Sequence, residues 1–251
     1  MTQLTERPPV TPAVSWWRRP WVAPLAVLTL AFLAFSLPPY LSLDPAQARL
    51  PLRAGFPAHY AVLLAHIGFG TVALVTCGLQ VWPWFRQRHP AWHRRAGRVY
   101  VFAGVLPAGL TGIVVSIVSH TGYVGRIGNL TLCLVWLATT FRGYRTARLR
   151  RYADHRRWMV RSFALTTSIV ANRVWIVALI IGLSPTVDSH YGGDINRMIP
   201  EAAQAAIWLS WVVNLVLAEW WLERTRVRRS VTGRDRTAPE PTPAATVSLT
   251  G

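Results

Sequence analysis

Six stretches of the chain stay apolar for about the twenty positions that a helix needs to cross a hydrocarbon core. They fall near 21–40, 59–84, 98–120, 125–145, 158–182 and 201–222. The pattern predicts an all-α membrane protein, with a six-transmembrane-helix bundle occupying 21–223. Residues 1–20 read as a disordered N-terminal tail and 224–251 as a basic, then disordered, C-terminal tail, because both are polar and rich in Pro, Thr and Ala. The first stretch admits a second reading as a cleaved signal peptide, since Arg18 and Arg19 precede it and Ala46-Gln47-Ala48 follows. Its length, and the prolines before that small-residue sequence, favour a retained span.

Charge fixes an orientation. The formal net charge is +17, and every basic residue is arginine. So basic a chain often binds nucleic acid, but here the arginines fall in blocks between apolar stretches, so no nucleic-acid partner is expected. Arg18 and Arg19 precede the first stretch. Arg86, Arg88, Arg94, Arg95 and Arg98 lie between the second and third. Arg142, Arg145, Arg148, Arg150, Arg151, Arg156 and Arg157 lie between the fourth and fifth, and Arg224, Arg226, Arg228 and Arg229 follow the sixth. The intervening loops hold only Arg49 and Arg53, then Arg126, then Arg197. Rich and poor loops alternate, which the positive-inside rule reads as six spans in a cytoplasmic membrane with both termini cytoplasmic. Nine of the thirteen tryptophans fall near the arginine-rich side, where an amphipathic ring is favoured.

Candidate chemistry sits against this frame. His93-Arg94-Arg95 and His155-Arg156-Arg157 repeat one triplet at the feet of the third and fifth spans, where helix N-termini favour anions. The triplets read either as paired anion or ligand sites or as topology anchors. If they build a site, His93 and His155 converge on a pocket rimmed by Arg94, Arg98, Arg156 and Arg161. In the second span His59, His66, Ala73 and Gln80 recur at seven-residue steps, so one small, polar face looks into the bundle. His66 lies deep, as a ligand or as a histidine bonded to a neighbouring helix. Gly104, Ala108 and Gly112 predict close helix packing or room for a flat cofactor. Arg173 lies at a depth similar to His66 and needs a partner: Glu201, Asp194, backbone carbonyls, a ligand carboxylate, or water reached by snorkelling. His66 and Arg173 are expected to face one cavity. Cys77 and Cys133 read as two separate buried thiols. Phosphate loops, zinc spacings and the G-x-S-x-G elbow are absent from the sequence.

His66-Ile67-Gly68-Phe69-Gly70, Leu79-Gln80, Pro90 through Tyr100 and His155 through Ser162 resemble a bacterial family of multi-pass membrane proteins catalogued as domain of unknown function 2306. The likeness spans roughly 59 to 180 and implies architecture rather than activity. A weaker likeness runs to cytochrome b561-type electron carriers, which hold haem between histidines on paired helices. It implies haem b, one or two, with His66, His93, His120 and His155 as candidate iron ligands. Arg94, Arg95, Arg156 and Arg157 would then neutralise propionates, with Arg173 as a further cofactor contact. The fourth span carries no histidine, and His120 is the substitute. The expected function is therefore a haem b-binding transmembrane electron carrier with a redox partner protein. The alternatives are an enzyme or binder for an anionic lipid or isoprenoid at the cytoplasmic face, or a non-catalytic membrane subunit.

Overall fold

A computed structural model describes residues 20–237, with side chains as far as Arg226. Its described residues fold into long helices joined by short turns: α1 (Val22–Ser36), α2 (His59–Val81), α3 (Pro90–Val118), α4 (Gly122–Arg148), α5 (Tyr152–Thr166), α6 (Ser168–Leu183) and α7 (Ile195–Thr237). Five helical segments are long and apolar enough to cross a membrane: α2, α3, α4, α6 with its extension to Tyr191, and α7 as far as Arg226. α1 is apolar but only 15 residues long, and none of its residues is buried.

Several helix ends depart from the apolar stretches. The third stretch was expected from 98, but α3 begins at Pro90, whose missing N–H costs nothing in a first turn. The fifth was expected as one helix over 158–182. It is two, α5 and α6, which meet at Thr167. α7 runs to Thr237, so residues 224–237, read as tail, continue a helix. The rest of that tail and residues 1–19 lie outside the described residues. Hydropathy marks the part of a helix that sits in hydrocarbon, and arginine-rich turns extend these helices beyond it.

The core lies where α2, α3, α4 and α5 meet, with Trp211 of α7 packed against them. Small residues set the spacing, as Gly104 illustrates: a methyl there would stand 2.9 Å from the Ala73 Cα on α2. The stripe of Gly104, Ala108 and Gly112 is thus filled by neighbouring side chains and backbone at these points. α3 is also widened. Residues Tyr100–Val105 form a π-helical turn, in which the Leu106 N–H reaches the Val101 carbonyl. Pro107 follows directly. It has no N–H to donate, and its ring crowds the carbonyl of the preceding turn, which a wider turn relieves.

The π turn aims Tyr100 at α5. Its hydroxyl lies 2.6 Å from Ser162 Oγ and 2.7 Å from Thr166 Oγ1. Ser162 Oγ also lies 2.6 Å from Thr140 Oγ1 on α4. Proton directions follow from counting. Thr166 donates its one hydroxyl proton to the Ser162 carbonyl at 2.8 Å and accepts the Trp136 indole N–H at 2.9 Å. Tyr100 therefore donates to Thr166, Ser162 to Tyr100, and Thr140 to Ser162. Each proton of this buried chain has an acceptor, so α3, α4 and α5 are tied without an unpaired hydroxyl among the three. The sequence reading did not single these residues out.

Tyr100→Phe removes the acceptor for Ser162 and a donor to Thr166. We expect it to destabilise the detergent-solubilised protein by about 1–3 kcal/mol, read as a fall in thermal unfolding midpoint. An unchanged midpoint would contradict the assignment of the chain as a clamp.

Candidate functional site

Both His-Arg-Arg triplets occupy the same place in their helices. His93 is the fourth residue of α3 and His155 the fourth of α5. The backbone N–H of His93 bonds the His89 carbonyl at 2.9 Å, and that of His155 bonds the Arg151 carbonyl at 2.9 Å. The amides of these two histidines are thus already spent inside their helices. The His155 ring donates from Nδ1 to the Gly143 carbonyl of α4 at 2.8 Å, which leaves the Nε2 lone pair unspent. His93 is half-buried, with its backbone carbonyl held by Gln80 Nε2 at 3.0 Å and its Nδ1 buried without a hydrogen-bond partner. His155, Arg86 and Arg94 all act on it electrostatically.

The arginines are less convergent than the repeat suggested. Arg161 pairs in a bidentate fork with Glu219 of α7 and lies 4.7 Å over the Trp158 ring. Arg156 stands over Trp221 at 5.2 Å, also on α7. Arg95 turns back over Trp92 at 5.0 Å. Arg156 and Arg161 thus tie α5 to α7 instead of rimming a pocket around both imidazoles. Arg94 is close enough to act on His93, while Arg98 and Arg157 are exposed.

A different group of arginines lines an open space. The turn from α4 to α5 encloses a cleft of about 290 Å³ bounded by Arg142, Arg145, Thr146, Leu149, Arg151 and Trp158. Arg142 lies 5.0 Å over the Trp158 ring, which orients its guanidinium. Arg151 pairs with Asp154 at 3.1 Å. Among the described residues Arg142 and Arg145 have no carboxylate partner. The turn itself is strained. α4 closes with Arg151 N–H on the Thr146 carbonyl and Arg150 N–H on the Ala147 carbonyl, which is a Schellman end. Its left-handed residue is Arg150, at φ 58°, where glycine is the usual occupant. Strain of this kind gathers at functional sites. The sequence signal was present: five arginines in residues 142–151 exceed what orientation alone requires.

The remaining candidates separate. His66 donates from Nδ1 to the Ala108 carbonyl of α3 at 2.9 Å. A methyl on Gly112 would come within 2.9 Å of its ring and 3.0 Å of Cys133 Sγ, so the imidazole is wedged between helices. His120 is exposed and acts electrostatically on His59, not on His66. Arg173 is exposed on α6, and neither predicted acid pairs with it: Asp194 faces Arg197 at 3.6 Å, and Glu201 accepts from Tyr191 at 2.9 Å. His66 is bonded to α3, while the groups acting on Arg173 are Arg49 and Tyr40, so neither takes the other as its partner. Cys77 and Cys133 are buried free thiols.

The helices define a multi-pass helical membrane protein. Residues 63–222 match the family described as predicted membrane protein (DUF2306), and the chain belongs to that family. No curated protein and no solved structure matches it, so the likeness to cytochrome b561-type carriers gains no support from the comparisons.

Proposed function

We propose that the protein is a six-span protein of the cytoplasmic membrane, with both termini on the arginine-rich side, and that this side binds the phosphate of an anionic amphiphile, an acidic phospholipid or a polyisoprenyl phosphate. One observation carries the reading: a cleft in which two arginines lack carboxylate partners and Trp158 and Leu149 add apolar walls. Guanidinium forks match phosphate oxygens, and an indole and a leucine suit an adjoining chain. α1 supplies the sixth span. With the turn Pro38–Leu41 it reaches about 30 Å, at 1.5 Å per residue, and a sixth crossing puts Arg18 and Arg19 on the same side as the arginine-rich turns. The cleft then lies at the inner headgroup level, where basic residues meet acidic lipids.

A second reading is favoured at His93 and His155. A histidine that donates Nδ1–H to a backbone carbonyl presents Nε2 as metal-bound histidines do, and the buried, unpartnered Nδ1 of His93 lies in the same region. These two residues fit a haem b, with Arg86 and Arg94 near enough to balance propionates; Arg95, Arg156 and Arg157 would have to leave their present positions. Such a group would supply one-electron transfer to a partner protein. The wedged His66 and the exposed His120 do not fit as a second ligand pair.

The first reading is tested by native mass spectrometry of the full chain in detergent, with phosphatidylglycerol, undecaprenyl phosphate and phosphatidylcholine as probes. Wild type should retain an anionic probe in preference to phosphatidylcholine. Arg142→Gln with Arg145→Gln should weaken that binding at least tenfold, about 1.4 kcal/mol. Equal retention of all three probes would contradict it. For the second reading, the reduced-minus-oxidised visible spectrum of protein from haem-replete cells should show sharp α and β bands that His155→Ala removes. Colourless protein at good yield would refute it.

A further inference from the structure

At the arginine-poor end Arg49 and Arg173 make no ion pair with any acid among the described residues. Arg173 lies ten residues before the end of α6, about 15 Å along the axis. An arginine at such depth is costly in hydrocarbon and usually faces a partner or a polar cavity. Among the described residues Arg173 makes no hydrogen bond or ion pair. The titratable groups acting on it are the Arg49 guanidinium and the Tyr40 phenol.

Arg49 is placed independently, 4.1 Å over the Phe35 ring at the end of α1. α1 in turn touches α6. Arg49, held against α1, therefore lies within electrostatic reach of Arg173 on the neighbouring α6. Tyr40 adds a hydroxyl. Nearby, the Tyr60 hydroxyl of α2 is buried without a partner and is acted on by Tyr40 and Asp44. Like charges repel, and an anion between them turns repulsion into two attractions. The surroundings say what carries the anion. No residue of α1 is buried, and only Ser168 is buried on α6, so the junction opens sideways into the bilayer.

We propose that Arg173 and Arg49 hold the phosphate of an anionic phospholipid, with Tyr40 as an added donor and the acyl chains lying along the crevice between α1 and α6. This rests on the six-span placement above but not on the cleft at the other end. The protein then meets acidic headgroups at both faces of the membrane through separate sites.

The test is native mass spectrometry of the full chain titrated with phosphatidylglycerol, with and without millimolar inorganic phosphate. Wild type should show two phosphatidylglycerol sites. Arg173→Gln and Arg49→Gln should each weaken the same one at least tenfold, Arg173→Lys less, with lipid-free unfolding midpoints unchanged. Arg49 lies in a turn, so its variant serves if Arg173→Gln folds poorly. Wild-type binding in both Gln variants would overturn the proposal, as would displacement of the lipid by inorganic phosphate, which would make this a free-anion site. With Arg173→Gln and Arg49→Gln effective the proposal stands whatever the Arg142 and Arg145 variants do, so the two sites fail separately.

Discussion

A guanidinium group cannot be left in hydrocarbon without a partner, and that constraint organises this molecule. In the proposed six-span arrangement it puts the arginine blocks at one end, so that the third and fifth spans start on the side where the first begins. It spends Arg161 on Glu219 and stacks Arg156 and Arg95 on tryptophans, fastening α5 to α7 and the foot of α3 to itself. Among the described residues Arg142 and Arg145 have no carboxylate partner, and Arg173 makes neither ion pair nor hydrogen bond. Both lipid sites inferred above are built where that happens.

The interior follows a complementary rule. With no water to satisfy them, buried hydroxyls must satisfy each other. The chain from Thr140 through Ser162 and Tyr100 to Thr166 does so in one direction, and the Trp136 indole closes it. The π turn before Pro107 is what brings Tyr100 to that chain. A helix irregularity is thereby used twice, to relieve a proline and to join three helices.

Much of the fold was legible because hydrophobic length is a local property. α2 and α4 match their apolar stretches to within a few residues, and the Gly104–Gly112 stripe was readable as close packing. The break at Thr167 and the helical extension through residue 237 were not legible, since neither changes the apolar pattern. The site was legible only in part. His93 and His155 share a helical position, as the repeated triplet suggested. Which arginine turns toward which partner depends on tryptophans and a glutamate from α7, far away in sequence. The cleft formed by Arg142, Arg145 and Arg151 needs the left-handed Arg150, and nothing in residue spacing announces a strained arginine in a glycine position. The acids expected to partner Arg173 are engaged elsewhere, Asp194 with Arg197 and Glu201 with Tyr191.

The account turns on the arginine-rich turn between α4 and α5 being a headgroup site on the cytoplasmic side. The most direct measurement is an experimental map of the full chain in phosphatidylglycerol nanodiscs. It should show phosphate density between Arg142 and Arg145, with a lipid chain running past Trp158 and Leu149. Acidic side chains or empty solvent between those two arginines, in a map that resolves other annular lipids, would contradict the central claim.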